Sequence, residues 1–362
     1  MSDIERVIIG LAGEEFPGNH SASLIELGDG SLFITWMRFI RSPLAGNDHA
    51  PNRIVSARSR DGGLTWDEPR ILVEPLPGDV NVYNPSLLRL PSGEILFFYY
   101  RHLELEWQKP FKTSSYLRRS SDEGASFSEP VNMWEGQPFG CANSRMIRLS
   151  TGRLVLPVGQ TIIWGGPKDN QKSTCLLSDD EGRTWRQSPS LLCLPLRGTM
   201  EAQVAEAKDF SLVMTMRTQL GSVFMSRSLD HGETWSKPQT SGLKSPESMP
   251  CLSRIPSTGD LLLVWNDSEF DPSFDHLGRR SPLTCAISRD SGRSWLRSLD
   301  LETDPSIEFT NPSCCFTRDG KAIITYVSSP MMNPDPPGRL GRDRMSLKAA
   351  ILDVERLYDF KK

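Results

Sequence analysis

One octet that occurs five times along the chain constrains the fold more than any other feature of the sequence. Its pattern is Ser-x-Asp-x-Gly-x-Ser/Thr-Trp/Phe, and its copies are SRDGGLTW (59–66), SSDEGASF (120–127), SDDEGRTW (178–185), SLDHGETW (228–235) and SRDSGRSW (288–295). The aspartates of successive copies are 61, 58, 50 and 60 residues apart. A period of this length indicates one structural unit that is repeated along the chain.

Each octet has the chemistry of a turn between two antiparallel strands. Asp and Ser side chains accept hydrogen bonds from backbone N–H groups across a loop, and Gly supplies a positive φ. Strand-like runs such as NRIVSARS precede the octets, and polar runs that contain Pro, such as DEPRIL, follow them. We therefore expect the octet aspartates, from Asp61 to Asp290, to be structural rather than catalytic.

Further strand candidates lie between the octets, so that each period holds about four short strands, as a propeller blade does. Five periods of about 60 residues account for roughly 300 residues, and the remainder supplies a sixth sheet. The C-terminal run SLKAAILDV is expected to pair with the N-terminal region ERVIIGLAG and to close the ring without an open edge. The sequence therefore predicts an all-β protein, a six-bladed β-propeller of four-stranded antiparallel sheets, with residues 1–362 as a single domain.

The composition excludes several classes of partner. The chain has 28 Gly and 27 Pro in 362 residues, which argues against long helices, and its net charge of −4 comes without a run of Lys or Arg. Its N-terminal run MSDIERVIIG is acidic where a secretory signal is basic, and its apolar segments are too short to span a membrane. We therefore expect no nucleic-acid partner, no membrane partner and a cytoplasmic location.

The cysteine pattern and the lack of common cofactor motifs argue against disulfide bonds, a structural metal and a nucleotide cofactor. The seven cysteines are odd in number, irregularly spaced and without a C-x-x-C pair, which favours reduced, mostly buried thiols. Cys314 and Cys315 are adjacent in a strand-like run and are expected to point to opposite faces and to pack. The sequence has no GxGxxG, P-loop or Gly-x-Ser-x-Gly pattern. We therefore predict that the protein uses no cofactor and no metal.

The octet resembles the Asp-box of the sialidase (neuraminidase) superfamily, and the chain is similar to the bacterial BNR-repeat members over essentially its whole length. The resemblance implies that the boxes lie on the face of the propeller opposite the active site. It also implies a site on the propeller axis, with three arginines that grip the substrate carboxylate, a Tyr nucleophile paired with a Glu, and an acid/base Asp. Tyr nucleophiles are a recognised exception among glycosidases.

Four residues match this pattern by their sequence context. The segment GNDHAPNRIVSARSRDGGLTW places Asp48 at the acid/base aspartate. The segment TMEAQVAEAKDFSLVMTMR places Glu201 at the glutamate of the Tyr/Glu pair and Arg217 at the second arginine. The segment HLGRRSPLTCAISRDSGRSW offers Arg279 or Arg280 as the third arginine, and we prefer Arg280.

Two positions depart from the family pattern. His20, in GNHSASLIELGDGSLF, stands at the first arginine, and Phe309, in SIEFTNPSCCF, stands at the nucleophilic tyrosine. A phenyl ring cannot attack an anomeric carbon, and histidine is a weaker partner for a carboxylate than arginine. Asp48, Glu201 and His20 are then the catalytic candidates, acting as acid and base on another sugar, and Phe309 is assigned to the substrate-binding set.

Further polar residues stand at comparable points of successive repeats and are predicted to line the axis. With Arg217 and Arg280, the residues assigned to substrate binding are Arg38, Asn84, Arg101, Asn143, Arg145, Glu247 and Asn266. The arginines among them keep an acidic sugar in the set of candidate substrates. The tyrosines considered as replacements beside Glu201 are Tyr83, Tyr99, Tyr100 and Tyr326.

The leading hypothesis is a sialidase-like, exo-acting glycoside hydrolase whose partner is a carbohydrate substrate, with an acidic sugar as one candidate. Two alternatives stay open. One is a non-catalytic propeller that binds carbohydrate or protein, because a fold survives the loss of its chemistry. The other is an enzyme that processes a uronic acid on the same fold.

Overall fold

Strands make up nearly all the regular structure of the chain. The computed structural model describes residues 4–44, 48–106, 108–110, 112–135, 139–161, 163, 169–331 and 344–360. These residues form 25 β-strands and one short 3₁₀ helix, Val354–Tyr358. Within the same residues, no helix has the length and apolar character needed to cross a lipid bilayer.

The first half of the chain forms three sheets after an initial strand, β1 (Glu5–Gly10). Blade 1 consists of β2 (Gly18–Glu26), β3 (Leu32–Phe39), β4 (Asn52–Ser59) and β5 (Arg70–Val73). Blade 2 consists of β6 (Asn81–Arg89), β7 (Ile95–Glu104), β8 (Lys112–Ser120) and β9 (Val131–Glu135). Blade 3 consists of β10 (Phe139–Gly140), β11 (Ile147–Arg148), β12 (Leu154–Gln160), β13 (Lys172–Ser178) and β14 (Arg186–Gln187), and both β10 and β11 pair with β12.

The second half of the chain forms the other three sheets. Blade 4 consists of β15 (Met200–Glu206), β16 (Leu212–Arg217), β17 (Ser222–Ser228) and β18 (Gln239–Lys244). Blade 5 consists of β19 (Cys251–Arg254), β20 (Leu261–Asn266), β21 (Leu283–Ser288) and β22 (Leu296–Glu302). Blade 6 contains β23 (Ile307–Phe316), β24 (Lys321–Pro330) and β25 (Ser346–Asp353).

The two ends of the chain meet in blade 6. Strand β1 pairs antiparallel with β25, with Glu5 opposite Ile351 and Val7 opposite Ala349, and supplies the fourth strand of that sheet. The strand order from the axis outwards is therefore β23, β24, β25, β1. The predicted six-bladed all-β propeller and the predicted closure of the ring are both confirmed.

The octets occupy one position in the fold, the turn from the third to the fourth strand of blades 1 to 5. In blade 6 these two strands come from opposite ends of the chain, so no such turn connects them. This explains why a propeller of six blades carries five octets.

The first octet shows the bonding that its residue types predict. The Asp61 carboxylate accepts hydrogen bonds from the Ser59 hydroxyl at 2.8 Å and from the Thr65 backbone N–H at 2.9 Å and hydroxyl at 2.6 Å. The Ser59 oxygen accepts from the Gly63 N–H, and the Trp66 indole N–H donates to the Gly63 carbonyl. The residues of the octet thus bond to one another, so the octet is a structural turn.

The core lies between neighbouring blades, which cover the second and third strands on both faces. Strand β20, with the sequence LLLVWN, is buried along its whole length, which accounts for its unbroken apolar run. All seven cysteines are free thiols. As predicted, Cys314 and Cys315 pack on opposite sides of β23, against different hydrophobic clusters.

Candidate functional site

A β-bulge recurs in the innermost strands, next to the axis of the propeller. In β2, β6, β15 and β23 the register with the next strand shifts, and one residue of each bulge has a positive φ. These residues are Ser21 (54°), Asn84 (45°), Glu201 (47°) and Asn311 (50°), and Ser144 (56°), between β10 and β11, has the same conformation. A bulge re-aims a side chain out of the pleat, and such features are frequent near functional sites.

These bulges border a cavity of about 490 Å³. Every blade contributes at least one described residue to its wall, and one from each is His20, Tyr83, Cys141, Glu201, Arg280 and Asn311. A cavity that touches all six blades lies on the propeller axis. Asp48 also lines it and precedes β4, whereas Asp61 follows β4, so that eight strand residues, about 26 Å, separate the cavity face from the octet face.

Asp48 is an exposed carboxylate held by a buried tyrosine. The Tyr83 hydroxyl donates a hydrogen bond of 2.5 Å to Asp48 Oδ1, and the Asn81 amide donates one of 2.6 Å to the Asp48 carbonyl. Burial first, and then the Asp48 charge, hold the pKa of Tyr83 well above its ordinary value. Tyr83 therefore stays protonated at neutral pH and acts as a hydrogen-bond donor to Asp48.

A second aromatic layer supports this pair. The Tyr83 ring lies 4.6 Å from the His102 ring and 5.7 Å from the Tyr100 ring, centroid to centroid. His102 Nδ1 is 2.7 Å from Asn81 Oδ1, and burial lowers the pKa of His102 to about 3. His102 is therefore neutral at pH 7 and fixes Asn81, which in turn holds the backbone of Asp48.

Across the cavity, Arg217 joins two carboxylates. Arg217 Nη1 donates to Glu201 Oε2 at 2.8 Å, and Arg217 Nη2 donates to Glu247 Oε1 at 2.9 Å. Burial alone would raise the pKa of Glu201, but Arg217 outweighs it and the net shift is downward. Burial would likewise lower the pKa of Arg217, and the two carboxylates together raise it instead. All three groups are ionised at neutral pH.

Glu247 is the most enclosed of the cavity carboxylates, with 3% of its side chain exposed. Its Oε1 also accepts from Arg197 Nη1 at 2.6 Å, and its Oε2 accepts from Gln219 Nε2 at 2.9 Å. Arg197 in turn pairs with Asp169 at 2.7 Å. Burial opposes the charge of Glu247, but Arg217 and then Arg197 lower its pKa overall.

A comparison with known protein families agrees with the propeller architecture. The model of a family described as BNR repeat-like domain matches residues 45–324. The chain belongs to the BNR repeat-like domain family. Among curated proteins, none matches the sequence significantly.

Solved structures share the fold of this BNR repeat-like protein at low identity. A protein of unknown function from Dyadobacter fermentans has a TM-score of 0.72 and 20% identity, over 97% of this chain and 98% of that one. The intramolecular trans-sialidase from Ruminococcus gnavus has a TM-score of 0.71 and 14% identity, over 98% of each chain. The NanB sialidase from Streptococcus pneumoniae, as the K499G mutant, has a TM-score of 0.73 and 13% identity, over 97% of this chain and 71% of that one. The fold is thus sialidase-like.

The cavity of this BNR repeat-like protein brings together about half of the residues predicted from the sequence. Those that line it are His20, Asp48, Asn84, Glu201, Arg217, Glu247 and Arg280. Arg280 is buried and donates from Nη2 to the Glu247 carbonyl at 2.9 Å. His20 Nδ1 is 2.6 Å from the hydroxyl of Ser21, the residue at the bulge of its blade.

Three predicted arginines are not among the residues that line the cavity, because each has a structural partner elsewhere. Arg38 lies over the Phe16 ring, with its guanidinium carbon 3.7 Å from the ring centroid. Arg101 donates to Asp79 at 2.5 Å and to the Tyr116 hydroxyl at 3.0 Å.

The third of these arginines, Arg145, is fully buried. It donates to the Gln203 side chain and, at 3.3 Å, to the Pro250 carbonyl.

Three further predicted residues also lie outside the cavity wall. Asn143 donates to the Ala22 carbonyl at 2.7 Å, and Asn266 donates to the Phe309 carbonyl at 3.1 Å, so both tie blades together. Phe309 is 1% exposed and packs edge-on against Tyr326, with ring centroids 6.0 Å apart. Because β23 bulges two residues later, Asn311 rather than Phe309 reaches the axis.

Several cavity residues escaped the sequence analysis. They include Gln171, Arg197, Gln219, Asp275, His276 and Asn311. A signal for Asn311 exists, since TNPS (310–313) repeats YNPS (83–86), which contains Asn84, and both are bulges of innermost strands. Arg197 and Gln219 have no comparable signal, because only the folded chain brings them to Glu247.

Proposed function

We propose that the protein is a glycoside hydrolase that acts on a carbohydrate in the axial cavity, with Asp48 as its acid/base residue. The observation that carries the proposal is the exposed Asp48 carboxylate, held by the Tyr83 hydroxyl at 2.5 Å in the same cavity as Glu201. A pair of carboxylates that flank one bond is the usual equipment of glycosidases. The sialidase-like fold supports the same class of reaction.

The two carboxylates have different surroundings, which suits different roles. Asp48 is exposed and can exchange a proton with solvent and with a leaving-group oxygen. Glu201 is held ionised by Arg217, so it stabilises the positive charge that develops on the sugar ring or orients a water molecule. Tyr83 keeps its proton and orients Asp48; it is a positioning residue in this scheme.

The Asp48→Asn variant tests the proposed role of Asp48. It keeps the size of the side chain and its bond from Tyr83 but cannot transfer the proton, so we expect kcat on an unactivated glycoside to fall about 100-fold or more. On a dinitrophenyl glycoside, whose leaving group needs no proton, the loss should be much smaller. The measurement is hydrolysis by purified protein of a panel of glycosides with both kinds of leaving group.

The matched control is Asp67→Asn, which makes the same chemical change at an exposed position beside the first octet. This control should keep full activity. Equal losses of Asp48→Asn on both kinds of leaving group, or full activity of Asp48→Asn, would contradict the assignment.

A non-catalytic sugar-binding protein is the second candidate. The specific observation in its favour is that Phe309 lies in the core and that the described hydrogen bond of Glu201 goes to Arg217, not to a tyrosine. Saturable binding on a glycan panel, together with no turnover of any glycoside that binds, would support this role over hydrolysis.

A further inference from the structure

Arg217 already has a carboxylate of the chain at both ends of its guanidinium group. One terminal nitrogen donates to Glu201 at 2.8 Å, and the other donates to Glu247 at 2.9 Å. A guanidinium grips a carboxylate best with two parallel N–H donors, and here both terminal nitrogens are engaged. Two of its five N–H groups are therefore already used by carboxylates of the chain and are not open to an incoming ligand.

The side chain of Glu247 is hydrogen-bonded in the way that the carboxylate of a bound ligand would be. Its two oxygens accept hydrogen bonds from three side chains, those of Arg197, Arg217 and Gln219. A carboxylate has about four acceptor positions, so this one is close to saturated. The side chain is also almost completely enclosed, with 3% of its surface exposed.

The backbone of Glu247 is fixed as well. Its N–H donates to the His276 carbonyl at 2.7 Å, and its carbonyl accepts from Arg280 Nη2 at 2.9 Å. Moving Glu247 away would break these bonds and its ion pairs with Arg197 and Arg217, which is a costly change. Glu247 is therefore a permanent part of the wall rather than a gate.

The charges of the wall lead to the same conclusion. The described residues that line the cavity include three arginines, Arg197, Arg217 and Arg280, and four carboxylates, Asp48, Glu201, Glu247 and Asp275. Arg197 is also paired with buried Asp169. A ligand carboxylate would lose its hydration in a cavity whose described walls carry more carboxylates than guanidinium groups.

We propose that the axial cavity takes an uncharged glycoside, and that the Glu247 side chain occupies the arginine cluster that would otherwise bind a sugar carboxylate. The proposal rests on the proposed carbohydrate ligand and departs from the acidic sugar that the arginines of the sequence kept among the candidate substrates. Sugar hydroxyls both donate and accept hydrogen bonds, so they suit a wall of paired charges and amides such as Asn84 and Gln219.

The first test uses acetate as a minimal carboxylate and acetamide as its uncharged counterpart, at constant ionic strength. Acetate should leave the melting temperature of the wild-type chain of 362 residues unchanged. In Glu247→Ala, where the cluster has lost its own carboxylate, acetate should raise the melting temperature in a saturable way, and acetamide should not. Saturable acetate binding by the wild type at the cavity, seen by protection of Arg197 and Arg217 from a guanidinium reagent, would overturn the proposal.

The second test compares matched sugars on the wild type. The pairs are methyl β-D-glucoside with methyl β-D-glucuronide, and the methyl glycoside of N-acetylneuraminic acid with its methyl ester. We expect the uncharged member of a pair to bind at least tenfold more tightly, and Glu247→Gln to narrow or reverse that ratio. Tighter binding of the charged member to the wild type would refute the inference.

These outcomes are separable from those of the proposed function. If no glycoside is hydrolysed but uncharged sugars bind and acetate rescues Glu247→Ala, hydrolysis fails and the inference on charge stands. If acidic glycosides are hydrolysed in an Asp48-dependent manner, hydrolysis stands and the inference fails. If Glu247→Ala does not fold, the acetate experiment on the wild type and the sugar pairs still decide whether the cavity prefers an uncharged ligand.

Discussion

Asp48 and Asp61 lie at opposite ends of one strand and differ in what surrounds them. Asp61 uses both oxygens on its own turn, where it accepts from Ser59 and twice from Thr65. Asp48 is exposed at the mouth of a cavity and accepts from Tyr83. The same residue type is therefore engaged in the hydrogen bonds of a turn on one face of the ring and exposed to the axial cavity on the other.

The octet aspartates make stability depend on pH. Hydrogen bonds from the Thr65 side chain and backbone lower the pKa of Asp61 to about 2, below its value in an unfolded chain. A group with a lowered pKa stabilises the fold above its unfolded pKa, and this contribution is lost as the pH falls through the folded value. We expect the free energy of unfolding to decline between about pH 4 and pH 2, and to decline less in Asp61→Asn.

The measurement is urea unfolding over a series of pH values. Asp67→Asn, which changes the net charge equally and removes an exposed ion pair with Arg60 but no hydrogen bond of Asp61, serves as control. Curves for wild type and Asp61→Asn that run parallel down to pH 2 would rule out a linkage through Asp61.

At the scale of the element, the bulge in the innermost strand decides which side chain meets the axis. In β6, β15 and β23 the residue in the left-handed conformation is Asn84, Glu201 or Asn311, and each lines the cavity. Non-glycine residues adopt this conformation at a cost, and Asn does so more readily than most. The bulge thus takes one residue per strand out of the core and directs it to the axial cavity.

A pair of substitutions at Asn311 isolates the backbone contribution. Asn311→Gly and Asn311→Val both remove the bond from the Asn311 amide to the Ser21 hydroxyl. Only valine, with its branched Cβ, conflicts with the φ of 50°. We expect Asn311→Val to have a free energy of unfolding about 1–2 kcal/mol lower than Asn311→Gly in thermal or urea unfolding. Equal stability of the two variants would show that the bulge relaxes.

These elements also show what the sequence reveals and what it hides. The octets were recognisable because their chemistry is local: in the first one, five residues within one turn bond to one another. The bulge was not, and a shift of two residues sent Phe309 to the core and Asn311 to the axis. Arg197 and Glu247 are fifty residues apart, before and after the strands of blade 4, and only folding brings them together. The sequence therefore showed the arginines but not the carboxylates that pair with them.

At the scale of the whole molecule, the ring depends on a strand borrowed from the other end of the chain. Strand β1 covers the outer edge of β25, which would otherwise expose unpaired N–H and C=O groups. Arg6 adds two hydrogen bonds to the Leu301 carbonyl in blade 5, at 2.7 and 3.2 Å. Blade 6 is thereby tied both to the start of the chain and to its neighbour.

Deletion of residues 1–11 tests this closure. The exposed edge of β25 should lower the melting temperature and promote self-association, because an open strand is a template for pairing. A synthetic peptide of residues 1–13 should restore the melting temperature by adding the missing strand, whereas a scrambled peptide should not. Calorimetry and size-exclusion chromatography measure the two effects. A deletion variant as stable and as dispersed as the full chain would show that β1 is dispensable.

The meeting of β1 and β25 also sets an order of events during synthesis. Strand β1 is synthesised more than 300 residues before its partner, residues 346–353. Blades 1 to 5 are each made of one continuous stretch, and they can form while translation proceeds. Blade 6 cannot form in this way, because it needs strands from both ends of the chain. The axial cavity includes Asn311 of blade 6, so the cavity is completed only after β25 has been made.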